Sequence, residues 1–326
     1  MAATLTLGIE TSCDETSAAV VDDLHVRSLI VASQARVHAH WGGVVPEVAS
    51  RQHMEALVPC VEAALAEAAV GMDAIGLVAV TQGPGLIGSL MVGVSFAKAL
   101  AFARGLPLVG VNHLVGHLYS AFLDREPVFP VIGLIVSGGH TELWRVDGHG
   151  RIRVLGRTLD DAAGEALDKV ARALGLGYPG GPALERLAAT GDARRCPLPR
   201  VRTAHPLDFS FSGLKTAVLE ALGRVQPADA AAAFQAAVVE ELVRRAVEAA
   251  RSEEVDRIVL VGGVAANRSL GAALEAAAGA YGIKAWAAEA RYTGDNAAMM
   301  AAAGRFVHAA RGGDPLTLMA DALARP

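Results

Sequence analysis

A chain of 326 residues, 52% hydrophobic and 19% charged, has ample apolar material for a buried core, which argues against a disordered protein. Its net charge of −5 excludes a surface coated in positive charge but permits a local basic patch. The length suits two α/β domains better than one, and Cys13, Cys60 and Cys196, without CxxC spacing, indicate neither a disulfide framework nor a cysteine zinc site.

Thr4 to Glu10 reads as a strand and Ser17 to Val21 as its hairpin partner. Between them, Thr11 to Thr16 is a polar turn that brings Glu10, Asp14 and Glu15 together; a solvated turn is the plain reading, and a functional cluster the sharper one. Pro46 opens a helix to about Ala69, with Val48, Met54, Leu57, Val58, Val61 and Leu65 on one side and a kink expected at Pro59. Gly76 to Thr81 is a continuous apolar run, as in a strand covered on both faces. It feeds Gln82-Gly83-Pro84-Gly85 and a helix from about Leu86 to Arg104, ended by Gly105 and Pro107. No Gly-Lys-Ser/Thr follows the glycines, which excludes a Walker A loop. This apolar window is broken by glycines, Ser89, Ser95 and Lys98, so it reads as a buried helix rather than a membrane span. The N-terminus carries no basic and apolar leader pattern, and a soluble cytoplasmic protein is expected.

Asn112 to His117 carries two histidines. On a helix, His113 and His117 lie one turn apart, about 5–6 Å between Cβ atoms, where two imidazoles can share a metal ion. A surface pair is the alternative. Leu114 stands where a zincin protease needs its Glu, so that mechanism lacks its base.

The second half opens as the first did. Val131 to Val136 is an apolar strand, Ser137-Gly138-Gly139-His140 a tight turn, and Thr141 to Val146 the returning strand; the glycines leave N–H groups free for an anion. A strand–turn–strand opening in each half suggests two duplicated α/β domains facing each other across a cleft, at residues 1–125 and 126–326, with the last helix, about 297–311, able to pack back on the first. A helix follows over Asp160 to Leu174, then the rigid turn Tyr178 to Pro182. Arg194, Arg195, Arg200 and Arg202 form a cluster without an acid among them, able to meet phosphates or simply to be solvated. Pro227 to Ala250 is a long helix with Glu240/Arg244 and Glu241/Arg245 as i,i+4 pairs. Arg257 to Val261 is a strand entering Gly262-Gly263, a natural place for a nucleoside against backbone. Asp295, in a glycine-containing turn before the last helix, is a candidate third ligand for the histidines.

Nine motifs in order, GIETSCDETS, QGPGLIGSL, NHLVGH, VSGGHTEL, DDAAGEALDKVAR, YPGGP, FSFSGLK, GGVAANR and TGDNAAM, together resemble the TsaD family, the bacterial tRNA threonylcarbamoyladenosine transferases whose counterpart belongs to the KEOPS complex. The resemblance spans residue 8 to about residue 310. It implies an ASKHA-type fold (actin, hexokinase, heat-shock ATPase) with the active site between two duplicated domains. It implies transfer of a threonylcarbamoyl group from threonylcarbamoyl-AMP to the N6 amine of the adenosine next to the anticodon, in tRNAs reading ANN codons. By the same resemblance His113, His117 and Asp295 bind one iron or zinc ion. Ile135, Val136, Ser137, Gly138, Gly139, Asp168, Gly181 and Asn267 fall on nucleotide-contact positions. Glu185 stands where the family usually has Asp. Glu10, Asp14 and Glu15 are the candidates for general base, with no choice among them, and the four arginines are candidates for tRNA contact. TsaB and TsaE are the implied partners. An ASKHA-fold kinase and a metallopeptidase are the competing readings; the histidine pair argues against the first and Leu114 against the second.

Overall fold

The computed structural model describes residues 5–326, and Thr4, assigned to the first strand from sequence, lies outside them. In chain order the elements are β1 (Leu5–Glu10), β2 (Glu15–Asp22), β3 (His25–Ser33), α1 (Ala35–His38), α2 (Pro46–Glu67), β4 (Ile75–Gly83), α3 (Ile87–Arg104), β5 (Leu108–Asn112) and α4 (His113–Ser120). Then come β6 (Val131–Val136), β7 (Thr141–Gly148), β8 (Arg151–Arg157), α5 (Ala163–Ala173), α6 (Gly180–Ala188), α7 (Ser212–Ala221) and α8 (Pro227–Ser252). The chain finishes with β9 (Arg257–Val261), α9 (Arg268–Gly279), β10 (Lys284–Ala287) and α10 (Ala297–Arg311). Two compact units result: Met1–Pro127 together with Gly294–Pro326, and Val128–Thr293.

The first unit is built on a sheet in the order β3-β2-β1-β4-β5. β1, β2 and β3 are antiparallel neighbours, whereas β4 and β5 run parallel to β1. Side chains alternate across a strand, so the two faces of β1 serve different helices. Leu7 and Ile9 join a core with Leu57, Val61 and Ala64 of α2 and Val94 and Ala97 of α3. Gly8 faces the other way, where a Cβ would lie 2.0 Å from the carbonyl oxygen of Ala297 in α10. Gly304 repeats the device further along α10, where a Cβ would lie 2.4 Å from that of Ala79. These glycines let α10 lie directly on the sheet.

After α10 the chain returns as a strap along the β4–β5 end of this unit. The Gly110 N–H donates to Asp314 at 2.8 Å, Gln82 donates to the Met319 carbonyl at 3.2 Å, and the Asp321 N–H donates to the Gln82 carbonyl at 2.9 Å. The Asn112 side chain donates to the Ala324 carbonyl at 3.3 Å. Gly83 has φ +155°, and a Cβ there would overlap the Asp321 carbonyl, so the strap requires a glycine at this point.

The second unit repeats the plan as β10-β9-β6-β7-β8. β6, β7 and β8 are antiparallel, while β9 and β10 run parallel to β6. Ile132, Leu134 and Val136 of β6 pack with Val170 of α5, Phe234, Val238 and Leu242 of α8 and Leu270 of α9. Each fully buried side chain of this size contributes about 1.5–3 kcal/mol of burial.

Two local differences from the sequence reading stand out. α2 runs unbroken through Pro59, and its buried face is Ala49, His53, Leu57, Cys60, Val61 and Ala64, leaving Met54 and Val58 exposed. Small residues bring that helix close to β2, and the larger apolar ones fall outside. Glu240 turns to Arg200 instead of Arg244, and Arg244 pairs with Glu241. α3 is long and apolar enough to meet the length criterion for a membrane span, yet Ser89, Leu90, Gly93, Val94, Ala97 and Ala101 are buried within its unit.

Candidate metal centre and nucleotide-facing turns

The histidine helix begins at an N-cap. Asn112 accepts from the N–H groups of Leu114 and Val115 at 2.9 and 3.2 Å, which fixes the first turn of α4. His113 and His117 then stack edge to face, with ring centroids 4.6 Å apart. Asp295 enters just before α10, whose N-cap Asn296 accepts from the Met299 N–H. Its Oδ1 lies 3.1 Å from His117 Nε2 and 3.5 Å from His113 Nε2. One ligand atom from each of the three residues lies within 4.8 Å of the others.

The donor set fits a metal. His117 is wholly buried, and neither ring nitrogen makes a hydrogen bond. The 3.1 Å approach of Asp295 to a ring nitrogen that is otherwise unpartnered is an arrangement in which imidazole and carboxylate can share a cation. Electrostatics agree. Burial works to lower the His113 pKa, but Asp295 and Glu10 outweigh it and lift it to about 9; burial and the neighbouring His113 hold His117 low. A divalent ion would satisfy the excess negative potential of this pocket and displace the His113 proton.

The Glu10–Glu15 turn supplies the surroundings. Glu10 is fully buried, accepts from the Ser12 N–H and, at 2.6 Å, from the Thr81 hydroxyl, and faces His113 Nδ1 at 3.0 Å. Glu15 accepts from the Ser33 hydroxyl at 3.0 Å. Burial, reinforced by Asp295 and Asp14, pushes the Glu15 carboxyl up to about 9, and burial with the same carboxylates pushes the Cys13 thiol up. Asp14 is buried in the same turn.

In the second unit, β6 ends in the Ser137–His140 turn. Ile135 and Val136 are buried, so only their backbone can meet a ligand. The Ser137 N–H is used, donating to the His140 carbonyl at 2.8 Å, and the His140 N–H donates to the Ser137 hydroxyl at 3.1 Å. Gly138 and Gly139 face open space, where an added Cβ would meet nothing within 4 Å. Gly164 at the start of α5 and Gly262 after β9 approach this turn so closely that a Cβ would meet the carbonyl oxygens of Ser137 at 2.6 Å and Val136 at 2.4 Å.

Asp168 accepts from the Gly180 and Gly181 N–H groups at 2.9 and 3.0 Å, holding the Tyr178–Pro182 turn. Glu185 accepts from the Arg268 N–H at 3.0 Å. Asn267 caps α9 through the Leu270 N–H at 2.9 Å and donates to Gln235 at 3.2 Å. A cavity of about 850 Å³ opens beside them between α6, α8 and α9, lined by Glu185, Gln235, Val239, Ser269 and Ala273. Gln235 had no sequence signal, being one polar residue among alanines on a long helix. Ser12 and Thr81, which engage Glu10, were equally silent.

The arginine cluster is less bare than its spacing suggests. Arg194 forms a two-pronged pair with Asp192 at 2.9 Å, Arg195 lies 3.6 Å from Asp229, and Arg200 lies 3.7 Å from Glu240. Acids outside the cluster thus face three of its members, and Arg202 has no carboxylate partner among the described residues.

Solved structures share this architecture. HypF from T. kodakarensis aligns with a TM-score of 0.64 at 16% identity, covering 94% of this chain and 47% of that one, so this chain spans about half the length of HypF. The activator of 2-hydroxyisocaproyl-CoA dehydratase from Clostridium difficile aligns with a TM-score of 0.53 at 13% identity, covering 96% and 99%. With two sheets of identical strand order, the fold is of the ASKHA type, here furnished with a His/His/Asp group that can hold one metal ion. The family described as "TsaD: tRNA N6-adenosine threonylcarbamoyltransferase" matches residues 25–302. Relatives of that name are 54% identical in Symbiobacterium thermophilum, covering 93% of this chain and 91% of theirs, and 50% identical in Moorella thermoacetica, covering 96% and 95%. The chain belongs to the tRNA N6-adenosine threonylcarbamoyltransferase family.

Proposed function

We propose that the protein transfers the threonylcarbamoyl group of threonylcarbamoyl-AMP to the N6 amine of the adenosine next to the anticodon, in tRNAs reading ANN codons. The observation that carries this reading is the buried His113/His117/Asp295 group in a chain so similar to transferases of that name. The bond formed joins N6 to the carbamoyl carbon. The bond broken joins that carbon to the phosphate oxygen of AMP, which leaves with the electron pair while the amine gives up a proton. A mixed anhydride already carries a good leaving group, so the protein mainly positions the amine and stabilises charge.

His113, His117 and Asp295 would hold an iron or zinc ion, the choice that imidazole and carboxylate favour over magnesium. When bound, such an ion supplies Lewis-acid stabilisation of oxygen charge. The Gly138 and Gly139 N–H groups receive the phosphate, because the open space beside them admits it and the Ser137 N–H is already engaged. Asp168 and Gly181 fix the turn that flanks the nucleotide, and the cavity beside Glu185 and Asn267 takes the adenosine end. Of the three base candidates Glu10 is tied up in hydrogen bonds, which leaves Asp14 and Glu15. Arg200 and Arg202 offer the least restrained charges of the cluster to tRNA phosphate. The protein works in the cytoplasm with TsaB and TsaE.

Incubation with threonylcarbamoyl-AMP, tRNA and both partners, followed by mass spectrometry of the tRNA nucleosides, tests the reading. The parent is expected to form N6-threonylcarbamoyladenosine and His117→Ala to form far less. No modified nucleoside from the metal-loaded parent overturns it.

A further inference from the structure

Glu10 is the least accessible carboxylate of the turn, at 0% exposure. One oxygen accepts from the Ser12 N–H, and the other accepts from the Thr81 hydroxyl at 2.6 Å and meets His113 Nδ1 at 3.0 Å. Both oxygens are therefore occupied, and none of their partners is a group that substrate could displace. An unpaired carboxylate at this depth would be costly, so its hydrogen bonds define its purpose.

The partner that matters is His113. In neutral imidazole one nitrogen carries the proton and the other a lone pair. A carboxylate facing Nδ1 selects the tautomer with the proton there, which leaves the Nε2 lone pair pointing to the side where Asp295 lies 3.5 Å away. Ser12 Oγ, 3.2 Å from the same Nδ1, offers a second acceptor. His117 has no such restraint, since its Nδ1 makes no hydrogen bond. The two ligands are thus unlike: the Nδ1 of His113 is held by a carboxylate, and that of His117 is held by packing alone.

We infer that Glu10 is a positioning residue, which fixes the tautomer and ring orientation of His113 so that Nε2 is presented to the metal. This rests on the metal reading of the His/His/Asp group. Thr81 and Ser12 hold the carboxylate in turn, so β1, β4 and α4 are joined at one point by three side chains and one backbone N–H. In Glu10→Gln the two sides of the amide cannot both be satisfied. With its oxygen toward His113, the NH₂ opposes the Ser12 N–H. With its NH₂ toward His113, it demands the tautomer whose proton sits on Nε2, where the metal must bind.

The test is a zinc titration against a competing chelator dye, with the visible spectrum of the cobalt-substituted protein alongside. The parent binds one ion, and Glu10→Gln is expected to bind about 10–100-fold more weakly, the usual cost of losing the partner of a ligating histidine, with an altered cobalt spectrum. Thr81→Val keeps the carboxylate, removes one of its restraints, and should weaken zinc in the same direction by less; it also serves where Glu10→Gln does not fold. A folded Glu10→Gln or Thr81→Val with parental zinc affinity and cobalt spectrum overturns the inference, even if its melting temperature falls. A parent that binds neither ion removes the metal reading and this inference with it.

Discussion

Replacing Gly8 by Ala should strike fold and metal together. The new Cβ would lie 2.0 Å from the Ala297 carbonyl oxygen and 3.0 Å from the Ala301 nitrogen, both backbone atoms that cannot swing aside. Carbon keeps about 3.3 Å from a carbonyl oxygen, so the start of α10 must retreat by roughly 1 Å. Overpacking of this kind costs about 1–3 kcal/mol. The retreat also strains the bond from the Ala297 N–H to Ser17 Oγ, now 3.0 Å, which adds about 1 kcal/mol. At about 2–4 °C per kcal/mol, the melting temperature should fall by roughly 4–16 °C. Asp295 stands two residues before Ala297, so zinc affinity should fall as well. Gly304→Ala is the control: its Cβ would lie 2.4 Å from that of Ala79, so it also destabilises, but nine residues beyond Asp295. Thermal unfolding and zinc titration of both variants decide the matter. Parental melting and zinc affinity in Gly8→Ala, or equal weakening of zinc in Gly304→Ala, would refute the argument that Gly8 sets the position of Asp295.

Three further outcomes are expected. Burial works to raise the Asp161 pKa, but hydrogen bonds from Lys169 and Lys215 overcome it and hold it low. The unfolded state therefore takes up the proton first, so the stability from Asp161 is complete above about pH 4 and is lost as pH falls through the depressed value; denaturant titrations of Asp161→Asn should show lower stability at pH 7 and a flatter profile below pH 4. Gly138→Val, whose Cβ meets nothing within 4 Å, should melt like the parent yet bind AMP about tenfold or more weakly by calorimetry; unchanged affinity would remove the turn from the nucleotide site. Arg200→Ala/Arg202→Ala should weaken tRNA binding for every sequence and reduce the salt slope by about 1 for each phosphate that is no longer neutralised, whereas identical curves would leave these residues as solvated charge.

The strand–turn–strand openings were legible because β1 and β6 are apolar runs that end in polar or glycine-rich turns, a pattern fixed by local chemistry. β3 was not, because it is an edge strand in which Ser28 is the buried residue and apolar Val31 is exposed. The histidine pair could be read from helical spacing alone, yet nothing local places Asp295 beside it. That proximity comes from the bare surface of Gly8, which lets the start of α10 lie directly on the sheet. The roles of Glu10 and Asp168 were equally hidden. Both were legible as carboxylates near a site, but their hydrogen bonds to Thr81 and to the Gly180 and Gly181 N–H groups exist only once distant segments meet.

The first unit is interrupted in sequence by the whole of the second, and this sets an order of events during synthesis. His113 and His117 leave the ribosome well before Asp295, a gap of 178 residues from His117. At about 5–20 residues per second the delay is roughly 9–36 s. Throughout it β1 lacks the helix that covers Gly8, and the Asn112 side chain lacks its bond to Ala324. A nascent chain therefore carries two imidazoles without their carboxylate, and the ligand set closes only after the second unit has been made. Metal capture at this group thus reports that translation has passed Asp295, and a chain ended before that residue cannot assemble it.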